Sequence, residues 1–272
     1  MTKTFGLPVL TPAHTGRVRP AYNRADLIAF FEDSHHLLLD PEAEILQRGR
    51  NLVGAVHVPI PESGPMEVVI KEFSPRGIDK IKGRILPSKA LRAWRGAGAL
   101  VRHGIGTPEP ILFLEERKRS TGRSYYISLR LREVSEIRGL FLSASETVLG
   151  PFLHRLAGNL RYWHSRGILH RDLSDGNILL GSGEKEPRLF LTDTNRIRIL
   201  SSIGPLRGIK NLIRLGVPEP LQKAFLESYL EKEPVPRRYW LWYRLAKQSF
   251  NVYLRLKKIL RVKKITRKLG IQ

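Results

Sequence analysis

The feature that most constrains this chain is a polar loop set between two apolar runs, "ILHRDLSDGNILL", at residues 168–180. A helical pattern ending at Gly167 precedes the loop, and a strand-like run follows it. Four of its polar residues fit the spacing H-R-D-x-x-x-x-N: His170, Arg171, Asp172 and Asn177. An ordinary turn does not require these identities, so the match in this local context is a specific signal.

The loop has the parts that phosphoryl transfer needs: a carboxylate for the acceptor's proton, and a metal ligand. Asp172 is predicted as the base and Asn177 as a Mg²⁺ ligand. Asp193, 21 residues after Asp172, follows the strand-like run of "LFLTDTNRIRI" and is predicted as the second metal ligand. Upstream, "VVIK" places Lys71 at a strand end, where a lysine reaches the α- and β-phosphates.

Two glycines add a weaker indication. Gly49 and Gly54 in "RGRNLVGAV" are predicted to lie in a hairpin that covers the phosphates. Taken singly, each part has a plainer explanation: a glycine pair as a turn, Lys71 as a solvated strand end, Asp193 as a cap. All parts occurring in order together favour phosphoryl transfer assisted by Mg²⁺.

The apolar pattern changes from strand-like to helical along the chain. Residues 45–73 read as two strands around a Pro/Ser/Gly turn, "SKALRAWRGAGALVRHGI" as a helix, and the next segment as a hairpin around Thr121 and Gly122. Helical patterns dominate after Glu133, and "SETVLGPFLHRLAGNLRYWHSRGI" is predicted as a helix with one apolar stripe: Leu149, Phe152, Leu153, Leu156, Leu160 and Trp163. This order predicts an α+β fold of two lobes meeting at a cleft, with a small antiparallel-sheet N-lobe and a helical C-lobe. The predicted segments are a lead-in strand or helix at 1–44, an N-lobe at 45–133, a C-lobe at 134–235 and a basic amphipathic tail at 236–272.

Charge is concentrated in the tail. The chain has 47 Lys and Arg against 25 Asp and Glu, a net charge of +22, and residues 237–272 supply twelve of those cations and no acid. Its apolar positions fall near one helical face: Trp242, Leu245, Val252, Leu256 and Ile259. This pattern is typical of a helix lying in anionic lipid headgroups. A helix packed on the C-lobe is an equal alternative. Nucleic acid ranks last, because no RNA-binding motif accompanies the tail.

The chain has no cysteine, which excludes a disulfide framework and Cys-ligated zinc. Its N-terminal residues lack the apolar segment of a secretory signal, and no run is long and apolar enough to span a bilayer. We therefore expect a cytoplasmic protein that can lie on a membrane surface.

The class of phosphate acceptor is predicted from residues that the catalytic loop lacks. Ser/Thr protein kinases carry a lysine two residues after the catalytic Asp, where this chain has Ser174. Tyrosine kinases carry an arginine four residues after that Asp, where this chain has Gly176. Thr194 and Asn195 follow Asp193 in place of Phe and Gly. These differences favour a small-molecule or glycan hydroxyl as the acceptor over a protein.

Residues 45–235 resemble the lipopolysaccharide core kinases, which phosphorylate the Kdo and heptose sugars. The resemblance rests on "SKALRAWRGAGALVRHGIGTPEPILFLE", "LTDTNRIRI" and "LRGIKNLIRL". It implies a kinase-like fold, ATP, Mg²⁺ and a lipid-linked sugar substrate at the cytoplasmic face of the inner membrane. By position, it implies Asp172 as base, Asn177 and Asp193 as metal ligands and Lys71 as the phosphate lysine.

The chain departs from that family at two positions. Ala93 stands where the family has a Glu that pairs with the strand lysine, and Asn195 replaces its second acidic residue. Two alternatives therefore stay open beside the sugar kinase. One is a protein or antibiotic kinase, and the other is a catalytically inactive binding module that docks membrane or nucleic acid through the tail.

Overall fold

The structure is a computed structural model that describes residues 5–59, 65–75, 86–117, 122–181 and 187–268, with side chains up to 259. The chain divides into two compact units. The first comprises Met1–Ser135 and Leu179–Ile199, and the second comprises Glu136–Ile178 and Leu200–Gln272.

The first unit is built on a seven-stranded antiparallel sheet in the order β1-β2-β6-β7-β5-β4-β3. Its strands are β1 (Leu7–Leu10), β2 (His14–Val18), β3 (Glu44–Arg48), β4 (Asn51–Val58), β5 (Met66–Phe73), β6 (Pro110–Glu116) and β7 (Ser124–Leu129). A separate three-stranded sheet has the order β11-β10-β8. Its strands are β8 (Val134–Glu136), β10 (Ile178–Gly181) and β11 (Arg188–Leu191).

Helices cover both faces of the seven-stranded sheet. On one face, α1 (Ala25–Glu32) buries Leu27 and Phe31 against strand residues such as Leu112 and Ile127. On the other face, α3 (Lys89–Arg102) buries Trp94 in a cluster with Phe113 and Tyr126, which are the sequence neighbours of Leu112 and Ile127. Successive side chains of a strand point to opposite faces, so strands covered on both sides are apolar at consecutive positions.

Most of the first unit's elements match the sequence prediction, and one does not. The helix over residues 89–102 and the pairing of β6 with β7 are confirmed; Thr121 lies outside the described residues, as does the Pro/Ser/Gly turn. The lead-in, predicted as a strand or a helix, contains both: β1 and β2, which extend the sheet beside β6, and the helices α1 and α2 (Ser34–Leu37). Residues 45–58, however, form two strands that break at Gly49 where one was predicted.

The second unit is mainly helical, as predicted. It contains α4 (Ile137–Ser143), α5 (Glu146–Ser165), the short strand β9 (Ile168–His170), α6 (Pro205–Leu212), α7 (Gln222–Leu230) and α8 (Arg237–Lys268). The predicted apolar stripe of α5 is confirmed, because all six of its positions are buried: Leu149, Phe152, Leu153, Leu156, Leu160 and Trp163. The stripe gives α5 a buried face along most of its length.

Helix α8 packs at its start and is exposed further on. Tyr243 is fully buried, and Trp242 Nε1 donates to the carbonyl of Leu206 at 3.1 Å. Lys247 Nζ donates to the carbonyl of Leu215 at 2.6 Å. Residues 251–259 are all exposed. The alternative in which the tail packs as a helix on the helical unit therefore applies to the first three turns of α8. Among the described residues, no helix combines the length and hydropathy needed to cross a membrane.

Candidate active site

The first unit brings together two of the residues that the motifs predicted. Lys71 lies on β5, paired in register with Tyr126 of β7, and Asp193 follows the end of β11. Lys71 Nζ lies 2.5 Å from Asp193 Oδ1, and each side chain is about one-fifth exposed. A charge-assisted contact of this kind fixes both groups while leaving them open to a ligand.

Asp193 has an unusual backbone. Its φ of 50° and ψ of 45° place it in the left-handed region, immediately before the 3₁₀ turn Thr194–Arg196. Aspartate and asparagine tolerate this region better than other non-glycine residues, although a cost remains. Arg196 Nε lies 3.5 Å from Asp193 Oδ2. The Asn195 amide, oriented to donate, lies 2.6 Å from Oδ1. The carboxylate is thus surrounded by donors.

Helix α3 contacts this turn through its backbone. Ala93, at the place of the family's glutamate, is 2% exposed, and its carbonyl accepts a hydrogen bond from Thr194 Oγ1 at 3.0 Å. One turn further on, a Cβ on Gly96 would come within 2.2 Å of the Thr194 carbonyl oxygen. The helix therefore lies directly on the turn. Lys71 has Asp193 as its partner in place of a helix glutamate.

The two glycines predicted to cover phosphates differ in their surroundings. Gly49 is exposed between β3 and β4, and an added Cβ would meet nothing within 4 Å. Gly54 is buried on β4, where a Cβ would meet Leu38 Cδ2 at 2.8 Å. Packing against α2 and its neighbours accounts for Gly54. A phosphate role for either glycine stays a prediction.

The second unit holds Asp172 and Asn177 in one hydrogen-bonded loop. Asn177 Nδ2 donates to the carbonyl of Asp172 at 2.7 Å, and its backbone N–H donates to the carbonyl of Ser174 at 2.9 Å. The Asp172 N–H donates to Nδ1 of the buried His170 at 3.3 Å. These bonds direct the Asn177 amide nitrogen into the loop, so the oxygen is the atom that a metal would take.

A buried network supports the loop from below. Asn211 Nδ2 donates to the carbonyl of His170 at 2.9 Å, which turns its Oδ1 toward His164 Nε2 at 3.1 Å. That orientation assigns the proton to Nε2 and leaves Nδ1 to accept from the Tyr229 hydroxyl at 2.7 Å. Burial lowers the pKa of His164 below its usual 6.5, partly offset by the Asn211 bond. The network therefore favours a neutral imidazole.

One residue of the site has no motif in the sequence. Arg214, in the turn after α6, donates from Nη1 to Asp172 Oδ1. The two residues are 42 positions apart, so no local spacing relates them. The only sequence signal was the Arg- and Leu-rich composition of "LRGIKNLIRL".

The donor chemistry fits Mg²⁺ carried by a nucleotide. Among the described residues, no group of three or more His, Cys, Asp or Glu could hold a metal ion. Magnesium sites in phosphotransferases commonly use one or two protein oxygens, with phosphates and waters completing the shell. Asp193 offers a carboxylate oxygen beside the Lys71 ammonium, and Asn177 offers an amide oxygen. Both oxygens are the hard ligands that Mg²⁺ prefers.

Comparison with known proteins gives partial sequence matches to protein kinases. No protein-family model matches the chain. The serine/threonine-protein kinase PknD of Chlamydia abortus is 54% identical over 41 residues, 14% of this chain and 4% of that protein. PknD of Chlamydia pneumoniae is 29% identical over 143 residues, which is 49% of this chain and 15% of that protein. The human non-receptor tyrosine-protein kinase TNK1 is 35% identical over 74 residues, which is 27% of this chain and 10% of that protein. The matches thus span 15% or less of these relatives' own lengths.

Among solved structures, the fold matches over most of its length. A chain described as WaaP in complex with acyl carrier protein aligns with a TM-score of 0.59, covering 84% of this chain and 94% of that one. The sequence identity is 15%. The chain has a protein-kinase-like fold. The predicted fold class is confirmed. At this identity the likeness establishes the fold and leaves the acceptor to be argued from the chain's own residues.

Proposed function

We propose that this protein is an ATP- and Mg²⁺-dependent kinase that transfers the γ-phosphate to a sugar hydroxyl of the lipopolysaccharide inner core. The observation that carries the proposal is the 2.5 Å pairing of Lys71 with Asp193. Motif spacing alone had assigned these residues to phosphate and to metal, and 122 positions separate them.

Each residue has a defined part in the transfer. Lys71 would bind the α- and β-phosphates, and Asp193 and Asn177 would hold the metal. When bound, Mg²⁺ neutralises charge that develops on the transferring phosphoryl. Asp172 would orient the sugar hydroxyl and take its proton. Phosphoryl transfer needs little covalent chemistry from the protein, so positioning and charge are what these side chains contribute.

Two observations support a sugar acceptor. The catalytic loop lacks the cations that mark protein kinases, with Ser174 and Gly176 at those places. Residues 45–235 resemble the lipopolysaccharide core kinases, and the fold, which aligns with WaaP over 84% of the chain, is compatible with that class.

The exposed part of α8 supports work at a membrane surface, and with it a lipid-linked substrate; the cytoplasmic face of the inner membrane is the location that we propose. Leu245, Val252 and Leu256 recur on one helical face and are 53 to 61% exposed. Arg255, Lys257 and other cations stand on the remaining faces. An apolar stripe flanked by cations matches a bilayer boundary, where aliphatic side chains enter and cations meet anionic headgroups.

The test is an acceptor competition with purified protein, labelled ATP and Mg²⁺. Deep-rough lipopolysaccharide, an aminoglycoside and a generic protein substrate are offered separately, each with and without acyl carrier protein. That arm is included because the WaaP structure contains it. Label in the lipopolysaccharide alone supports the proposal. Label in the protein or aminoglycoside, with none in the lipid, contradicts it.

Ala93 favours one second candidate, a catalytically inactive binding module, because the helix glutamate of the family is missing. Such a module would bind vesicles or nucleic acid through α8 and transfer no phosphate. Normal cellular function of an Asp172→Ala, Asp193→Ala double variant would favour it over the kinase.

A further inference from the structure

The catalytic loop has no cation of its own between Asp172 and Asn177, whose intervening residues are Leu, Ser, Asp and Gly. The structure supplies one from another element. Arg214 donates from Nη1 to Asp172 Oδ1, with side-chain exposures of 33% and 40% for the two residues. Both groups can therefore be reached by an acceptor.

We infer that Arg214 is the positioning residue for the base Asp172, taking the part of the absent loop cation. The inference rests on the proposed function, in which Asp172 receives the acceptor's proton. A guanidinium on one carboxylate oxygen restrains the rotation of the aspartate and directs the other oxygen toward the hydroxyl.

Arg214 is itself held in place. Its guanidinium lies over the Phe250 ring, 5.2 Å from the ring centroid, and Phe250 belongs to α8. The next residue, Leu215, is buried and accepts the hydrogen bond from Lys247 of the same helix. A planar cation fixed by a ring and by an anchored backbone loses little freedom on binding a carboxylate, as a positioning role requires.

A structural role accounts poorly for this arrangement. Ion pairs exposed to this extent contribute little to stability, because solvent screens them. Removing Arg214 is therefore expected to leave the fold in place and to affect the base, which allows the two roles to be separated by experiment.

The test is steady-state transfer by Arg214→Met, Arg214→Lys and Phe250→Leu, with Arg207→Met, at an exposed arginine of α6, as the matched control. For Arg214→Met we expect kcat to fall about 10- to 100-fold, with KM for ATP within about twofold. Arg214→Lys should recover part of the loss, and Phe250→Leu should show a smaller loss of the same kind. In an Asp172→Asn background, Arg214→Met should change kcat by less than about twofold, because residues acting as a unit are not additive.

Two results of the transfer assay would overturn the inference. The first is an unchanged or increased kcat in Arg214→Met, and the second is an equal loss of kcat on Arg214→Met in the wild-type and Asp172→Asn backgrounds. If the wild type phosphorylates no sugar, the same variants are compared by Mg²⁺-dependent hydrolysis of ATP, in which water replaces the acceptor. Loss of hydrolysis in Arg214→Met then supports the inference while the proposed acceptor fails, and retained hydrolysis overturns it. Absence of both activities in the wild type overturns both.

Discussion

Lys71 and Asp193 stand 122 positions apart in the sequence, and their charged groups lie 2.5 Å apart in the first unit. The contact joins the end of β5 to the turn after β11. A nucleotide would offer phosphates to the ammonium and a metal to the carboxylate. The pair therefore keeps two charged groups in place that the proposed reaction needs separately.

Replacing Lys71 by Met should weaken ATP binding about 10- to 100-fold, the value of a hydrogen bond to a charged group. Stability should also fall, by about 1–3 kcal/mol, because the pair is only one-fifth exposed and Asp193 keeps Arg196 as its remaining charged neighbour. Titration calorimetry and urea unfolding measure the two effects. The control is Lys210→Met, at an exposed lysine of α6. Unchanged ATP affinity would remove Lys71 from the phosphate role.

Restoring the family's glutamate should not restore its ion pair. Ala93 is 2% exposed in the cluster around Trp94, so Ala93→Glu would bury a carboxylate and cost about 2–4 kcal/mol of unfolding free energy. Arg95→Glu adds the same residue at an exposed position of the same helix and should cost much less. Denaturant unfolding measures both. A stable, more active Ala93→Glu would show that α3 can supply a partner for Lys71.

Two glycine-to-alanine substitutions should have opposite effects on the stability of the protein. In α5, Gly150→Ala meets nothing within 4 Å and should stabilise the protein by up to about 1 kcal/mol, because alanine favours helix. In α3, Gly96→Ala meets the Thr194 carbonyl at 2.2 Å, so the turn that carries Asp193 must move. Gly96→Ala should lower both stability and transfer rate. Equal, favourable effects at the two positions would mean that α3 does not lie tightly on that turn.

Stability should fall as the pH drops below about 6.5 because of His164. Burial lowers its pKa in the folded state, so the unfolded chain, with the ordinary value of 6.5, binds more protons in acid. The lost stability is regained as the pH rises above 6.5. His164→Gln should reduce this slope of unfolding free energy against pH, compared with His36→Gln at an exposed histidine. A slope that is the same in His164→Gln and wild type would contradict the buried neutral imidazole.

The exposed stripe of α8 should bind anionic vesicles. Changing Leu245, Val252 and Leu256 together to Asn removes the aliphatic groups that would enter the bilayer and should weaken binding at least about tenfold. Folding should be unaffected, since these side chains are exposed. The control changes Leu142 and Leu206, which are exposed elsewhere in the second unit. Vesicle sedimentation at low and high salt measures the binding. Equal vesicle binding by both variants would show that the stripe of α8 does not bind the membrane.

The sequence was most informative where one local pattern determines the structure. Helix α5 was predictable because its six apolar positions follow a single helical period along one buried face. Strands β1 and β2 were predicted only as part of an undefined lead-in, because Pro8 and Gly16 weaken their pattern and β6, the strand that pairs with β2, comes about a hundred residues later. A Cβ on Gly16 would meet the Phe113 carbonyl at 1.9 Å. Glycine weakens the prediction of a strand, but here it is needed because β2 and β6 approach each other closely.

The candidate site was predictable to the same extent. Asp172, Asn177, Asp193 and Lys71 were found because fixed chemistry requires them at recognisable places in the chain. Arg214 was not, because its contact with Asp172 depends on where α6 ends in space. The partner of Lys71 was also open until the structure showed Ala93 buried and Asp193 beside the ammonium.

The most direct test of the account is single-turnover transfer from labelled ATP with Mg²⁺ to deep-rough lipopolysaccharide, comparing wild type with Asp172→Asn. The substitution keeps the shape of the side chain and removes the base. We expect label in the lipid with wild type and a rate lower by about 10²- to 10⁴-fold with the variant, with ATP binding intact. Undiminished transfer by Asp172→Asn, or wild type that binds ATP and labels no lipid, would contradict the account.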